Sequence, residues 1–138
     1  AFYDLLGDWS SISVVEHIAD LGADVTYLTP VAGYAWKITR YSKTAITSRL
    51  REAGVEIRVL RAGLSFIGNE FTVEDLSTGK TECITVDAVI AAGNPAARTD
   101  QYERIAVSGI GVTLVGDCLA PRSALEAVYE GHEVGRAL

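Results

Sequence analysis

A chain of 138 residues, 49% hydrophobic and 22% charged, is the size of one ordinary globular domain, or one and a fraction. A net charge of −6 with a pI near 4.8 leaves no basic stripe to displace counterions, so nucleic acid is not an expected partner. No apolar run approaches the roughly 18 residues of a membrane span, and no basic segment leads into an apolar one as in a secretion signal; a cytoplasmic protein is expected. The chain has no Met, so Ala1 reads as the start of a processed chain or of a piece of something longer. Cys83 and Cys118 lack a C-x-x-C partner and are expected as reduced, buried thiols. His17 and His132 lack H-x-x-x-H spacing, so no metal site is expected.

Ala1 to Leu6 is an apolar stretch with one Asp and reads as a strand. A helix follows from about Ile12 to Leu21, its buried face drawn from Val14, Val15, Ile18 and Leu21 and its end marked by Gly22. Asp24 to Leu28 is β-branched and aromatic and stops at Pro30, which completes a βαβ unit of about thirty residues. Laid over G-x-G-x-x-G, the three glycine positions fall on Leu6, Asp8 and Ser11, with the only glycine, Gly7, between them. A pyrophosphate would be met by the helix amides and the hydroxyls of Ser10 and Ser11, with Asp8 adding an opposing charge. Thr29 stands where an acid would clamp an adenosine ribose. The unit is thus either a weakened dinucleotide site or only a structural βαβ.

Beyond Pro30 an aromatic loop, with Tyr34, Trp36 and Tyr41 interleaved among Lys37, Arg40 and Lys43, offers either a stacking and phosphate-binding surface or a loop folded onto its own domain. Ser42 to Ala53 reads as a helix capped by Ser42, with Ile46 and Leu50 as core positions. Val55 to Leu60 is a strand, and Leu64–Ile67, Phe71–Leu76 and Thr81–Val86 form an antiparallel meander joined at Ser77–Lys80. Asp87 to Ala92 is an apolar, buried strand ending at Gly93. Ala96 to Gly111 is a polar connection with a helical turn around Gln101–Ile105.

The last stretch, VTLVGDCLAPRSALEAVYEGHEVGRAL, reads as a short strand, Val112–Val115, an acid at Asp117, then a helix of about four turns. Ser123 and Glu126 have capping-box spacing. Leu125, Val128, Val134 and Leu138 supply a burial stripe, and Gly131 and Gly135 are expected to let the helix approach a sheet closely. Asp117 would accept bonds from ribose or ribityl hydroxyls, or else tie down the amides of its own turn.

In this order the elements resemble the paired nucleotide-binding domains of disulfide-reductase-type flavoproteins. GDCLAPRSALEAVYEGHEVGRAL, from Gly116, is similar to the carboxyl terminus of the NADH:flavin oxidoreductases related to trimethylamine dehydrogenase, histamine dehydrogenase and 2,4-dienoyl-CoA reductase. YDLLGDWSSISVVEHIADLGADVTYLTP resembles the trimethylamine- and histamine-dehydrogenase branch, where this βαβ has also lost its glycines. The resemblance implies an α/β, Rossmann-like three-layer fold with a central parallel sheet, a small meander and helices on both faces. Residues 1–95 would be an NAD(P)-binding-like domain with a degenerate fingerprint, and residues 96–138 the closing segment of an FAD-like domain packed on it. It further implies a parent enzyme with an upstream flavin-bearing TIM barrel that holds FMN, often a 4Fe-4S cluster, and all catalytic residues, and that forms a homo-oligomer. By motif, Gly116 and Asp117 match the Gly-Asp that holds ribityl or ribose hydroxyls, and Ala91, Ala92 and Gly93 match an Ala-Thr-Gly strand end with Ala92 departing from Thr. With Gly7, Ser10 and Ser11 these form the candidate site for ADP, FAD or NAD(P)H. The function implied is a nucleotide-binding or vestigial module, not catalytic alone; the alternative is a structural or interaction domain.

Overall fold

The computed structural model describes residues 1–137. They form two compact units, Ala1–Asn94 and a second from Pro95 onward.

In the first unit β1 (Phe2–Asp4), β2 (Thr26–Leu28), β3 (Glu56–Arg58) and β7 (Ile90–Ala92) build a parallel sheet in the order β3-β2-β1-β7. Phe2 lies opposite Tyr27 on one side and Ile90 on the other. Helices α1 (Trp9–Asp20) and α2 (Arg40–Glu52) are the crossovers, as parallel strands require. Strand alternation sorts the side chains into two cores. Phe2 and Tyr27 face the helices and pack with Ile12, Val15, Ile46 and Leu50. Leu28 and Tyr3 face the other way, against Phe71 and Val73 of the antiparallel meander β4 (Arg61–Ile67), β5 (Glu70–Asp75) and β6 (Lys80–Thr85). The α/β class read from the sequence holds, and within this unit the helices lie on one face of the parallel sheet and the meander on the other.

Several boundaries differ, each for a physical reason. Helix α1 starts three residues before Ile12 because Asp8 caps it, its carboxylate accepting the Ser10 amide at 3.1 Å. The earlier start turns Ile12 and Val15 inward, so Val14 and Leu21, expected in the core, face solvent. The helix ends as expected: Gly22, at φ +87°, sends its amide to the Ala19 carbonyl while Ala23 bonds Ile18, the paired bonds of a Schellman end. Helix α2 begins at Arg40, with Thr39 as the flanking residue, so Ser42 lies inside it and is not its cap. Strand β7 is three residues long and half exposed at Ile90, an edge strand and not the buried one expected, because no strand pairs with its outer side among the described residues.

The second unit holds α3 (Asp100–Ala106), a single 3-10 turn at Gly116–Cys118 and α4 (Ala124–Ala137). The expected strand Val112–Val115 is not formed. Val115 is extended, at φ −142° and ψ 155°, but an extended segment becomes a strand only through a ladder partner, and none is present among the described residues. In the expected burial stripe of α4, Leu125 and Val128 are more than 70% exposed, Val134 is half-buried, and Leu138 lies outside the described residues. Gly131 and Gly135 make no close approach: a Cβ at either would meet nothing within 4 Å. Cys83 and Cys118 are free thiols but exposed, correcting the expectation that they are buried. No helix among the described residues is long and apolar enough to cross a membrane.

Candidate functional site

Parallel α/β sheets present ligands at the carboxyl ends of their strands, where loops and helix amino termini converge. At that end the structure brings together Gly7, Ser10 and Ser11 of the β1–α1 turn with Ala92 and Gly93 at the end of β7. Asp4 is registered against Ala92, and the Leu5 amide donates to the Ala92 carbonyl at 2.9 Å. The residue that organises this turn is Asp4, which sequence reasoning passed over. It is fully buried, a position carboxylates occupy only when their oxygens are paired. The Leu6 amide donates to it at 2.9 Å, the Gly7 amide at 3.0 Å and the Ser11 hydroxyl at 2.6 Å, and the Tyr27 hydroxyl donates as well. A lone acid inside an apolar strand, AFYDLL, was the signal that could have found it. Burial, reinforced by the hydrogen bond to the Asp4 carboxylate, holds the Tyr27 phenol far above the ordinary tyrosine range.

Two features occupy the β1–α1 turn. The first is Asp8. Partial burial works against its charge, but the Ser10 hydroxyl, the Ser11 and Ser10 amides and nearby Lys37 outweigh it and hold the carboxyl below its ordinary 3.8. The first free amides of α1, the expected anion donors, are thus taken by an anion of the chain itself. The second is Trp36. Gly7 sits at φ +64°, and a Cβ there would lie 2.1, 2.3 and 2.4 Å from three atoms of the indole. Those near-equal distances mean that the ring presents its face to Gly7. The Lys37 amide donates to the Gly7 carbonyl at 2.9 Å.

The aromatic loop therefore folds onto its own unit. Tyr34 packs edge-on to Tyr27 with centroids 6.1 Å apart and hydrogen-bonds Thr47 of α2. Lys43 donates to the Tyr34 carbonyl at 2.5 Å and lies 4.3 Å from its ring centroid, which removes it from the expected cationic patch. Tyr41 is almost fully exposed. Thr29, at the end of β2, is wholly buried, and its hydroxyl has no partner among the described residues; it cannot take the place of a ribose-binding acid.

Gly116 and Asp117 belong to the second unit. The Gly116 amide donates to Glu130 of α4 at 2.7 Å, its carbonyl accepts from Leu119 and Ala120, and a Cβ at Gly116 would lie 3.1 Å from that of Ala127. Glu130 also pairs with Arg122. The turn is thus tied by Glu130, a residue the sequence did not point to, and Asp117 is exposed and takes no part in those bonds. Helix α4 starts with the expected capping box: the Ser123 hydroxyl accepts from the Leu125 amide at 3.2 Å, and Glu126 accepts from the Ser123 amide at 3.0 Å. The Ser123 hydroxyl bond is the main reason that the Glu126 carboxyl lies below its ordinary 4.5.

A parallel βαβ sheet backed by a meander, with a βα turn at its ligand end, defines a Rossmann-like dinucleotide fold. No family model and no curated protein sequence matches the chain. Among solved structures it is similar to histamine dehydrogenase from Rhizobium sp. 4-9, at 28% identity and a TM-score of 0.89 over 99% of this chain and 22% of that one. It is also similar to 6-hydroxypseudooxynicotine amine oxidase (HisD) from Pseudomonas geniculata N1, at 25% identity and a TM-score of 0.87 over 97% of this chain and 21% of that one. A 2-naphthoyl-CoA reductase shares the fold, at 19% identity and a TM-score of 0.78 over 97% of this chain and 20% of that one. The chain matches the carboxyl-terminal region of these enzymes, which are flavoenzymes related to trimethylamine dehydrogenase. It spans about a fifth of their length.

Proposed function

We propose that this chain is the nucleotide-fold region of a larger flavin-dependent oxidoreductase and has no catalytic activity of its own. Residues 1–95 take the place of its NAD(P)-type domain and residues 96–138 that of the closing segment of an FAD-like domain. FMN, any iron–sulfur cluster and the reacting groups belong to an upstream barrel. What supports this reading is the likeness to the carboxyl-terminal region of flavoenzymes, and the vestigial character of the first unit rests on the Trp36 indole lying face-on over Gly7. With Asp8 on the first amides of α1, the turn offers an apolar ring and a negative charge where a pyrophosphate needs donors, so NAD(P)H does not fit there. The first unit is then vestigial as a nucleotide site and serves as structure. Asp117, exposed and unused by its own turn, fits the hydroxyls of ADP or FAD.

Thermal melts and calorimetric titrations with NADH, NADPH and ADP test this. A ligand at a hundred times its Kd adds about 2.7 kcal/mol of stability; NADH and NADPH are expected to add none, and a rise in melting temperature with either overturns the vestigial reading. Turnover of NADH with a dye acceptor by the 138-residue chain would overturn the claim that it is not catalytic. In the full-length parent, Asp117→Asn is expected to weaken ADP or FAD binding roughly tenfold, the size of one charge-assisted bond, with melting unchanged.

A further inference from the structure

The segment Val31–Ile38 is more than a loop that happens to fold inward. Its first half is anchored on α2 through the Tyr34 hydroxyl to Thr47 and through Lys43 to the Tyr34 carbonyl. Its second half is anchored on the β1–α1 turn by the Lys37 amide on the Gly7 carbonyl and by Trp36. Between the two anchors Ala35 is fully buried and held at φ +49°, a conformation that a Cβ disfavours. The ring at the second anchor lies flat on a glycine, yet 39% of Trp36 remains exposed, so the space beneath it opens to solvent once the ring departs.

Resting on the reading that this turn takes no dinucleotide, we infer that Val31–Ile38 is a strap whose Trp36 acts as an internal ligand, covering a slot over Gly7 shaped for a planar aromatic ring. The chemistry of the slot follows from its walls. The Gly7 peptide supplies a flat floor without a Cβ, and the anionic Asp8 beside it repels phosphate while leaving a neutral ring unopposed. The ligand class is therefore an uncharged heteroaromatic ring. The strap opens at the Trp36–Lys37 end, because the Tyr34 end is fastened to α2 and the strained Ala35 lies between the two.

The test combines hydrogen exchange on the unaltered chain with ring rescue of a Trp36→Gly variant. In the unaltered chain the Lys37 amide is expected to exchange at least tenfold faster than the Leu50 amide of α2, showing that the strap opens without unfolding the unit; equal exchange of the two overturns the strap whether or not any variant folds. In Trp36→Gly the melting temperature falls, and millimolar indole or adenosine is expected to restore at least half of the loss, whereas inorganic pyrophosphate restores none. Failure of both rings, or rescue by pyrophosphate, overturns the slot. These outcomes are separate from those that test the proposed function, which are binding and turnover of NADH or NADPH by the unaltered chain.

Discussion

Substitution of Gly7 by Ala probes the contact on which the functional reading stands. Two costs add. At φ +64° an L side chain is disfavoured by about 1 kcal/mol. The new Cβ would also sit 2.1 Å from the indole, a distance no atom pair sustains, so Trp36 must leave the turn. An indole of this burial covers on the order of 100 Å², worth about 2.5 kcal/mol at about 25 cal/mol per Å², and the Lys37 amide loses its bond to the Gly7 carbonyl for about 1 kcal/mol more. The expected destabilisation is about 4.5 kcal/mol, a large share of the stability of a unit this size. In a Trp36→Gly background the second cost is absent and the same change should cost about 1 kcal/mol, a coupling of about 3.5 kcal/mol. Urea denaturation of the four chains, with m-values compared to confirm a common unfolding reaction, measures it. Costs that add to within about 0.5 kcal/mol would refute the placement of the indole on the turn, and with it the argument that the turn is closed.

Asp4→Asn replaces an acceptor ringed by four donors with a group that itself donates, leaving the Ser11 or Tyr27 hydroxyl unpaired; a loss of about 2–4 kcal/mol is expected in denaturant melts, with part recovered in an Asp4→Asn, Tyr27→Phe double variant. Because the Tyr27 phenol is raised above its ordinary value of 10, its contribution is fully present below pH 10 and is lost as pH rises beyond it. In an alkaline titration followed at the tyrosinate absorbance, Tyr27 should ionise only as the fold melts, and Tyr27→Phe should remove that late step. Glu126 is lowered, so its support of α4 is complete above about pH 4.5 and fades as pH falls through its depressed value; helical circular dichroism should fall in that range, and Ser123→Ala, which removes the largest cause, should weaken the dependence.

What the sequence by itself determined was everything set by local periodicity and local chemistry. The alternation of Phe2, Tyr3 and Asp4, and of Tyr27 and Leu28, dictates two-faced strands; the glycines after α1 and α2 dictate where the helices stop; Ser123 and Glu126 dictate where α4 begins. These were legible because each depends on residues within a turn or two of each other. The α/β order followed from them, while the resemblance to flavoenzymes was carried by the particular stretches from Tyr3 to Pro30 and from Gly116 onward. What only the tertiary structure decided was pairing across distance. The apolar run Val112–Val115 has the composition of a strand, but a ladder needs a neighbour, and periodicity carries no information on whether one is present. Leu125 and Val128 have the spacing of a core stripe, but burial depends on a surface to meet. Above all, that Trp36, 29 residues after Gly7 in sequence, lies on that glycine, and that Tyr27 reaches the carboxylate of Asp4, could not be read from spacing, since such contacts arise from how the crossovers fold the chain back on itself.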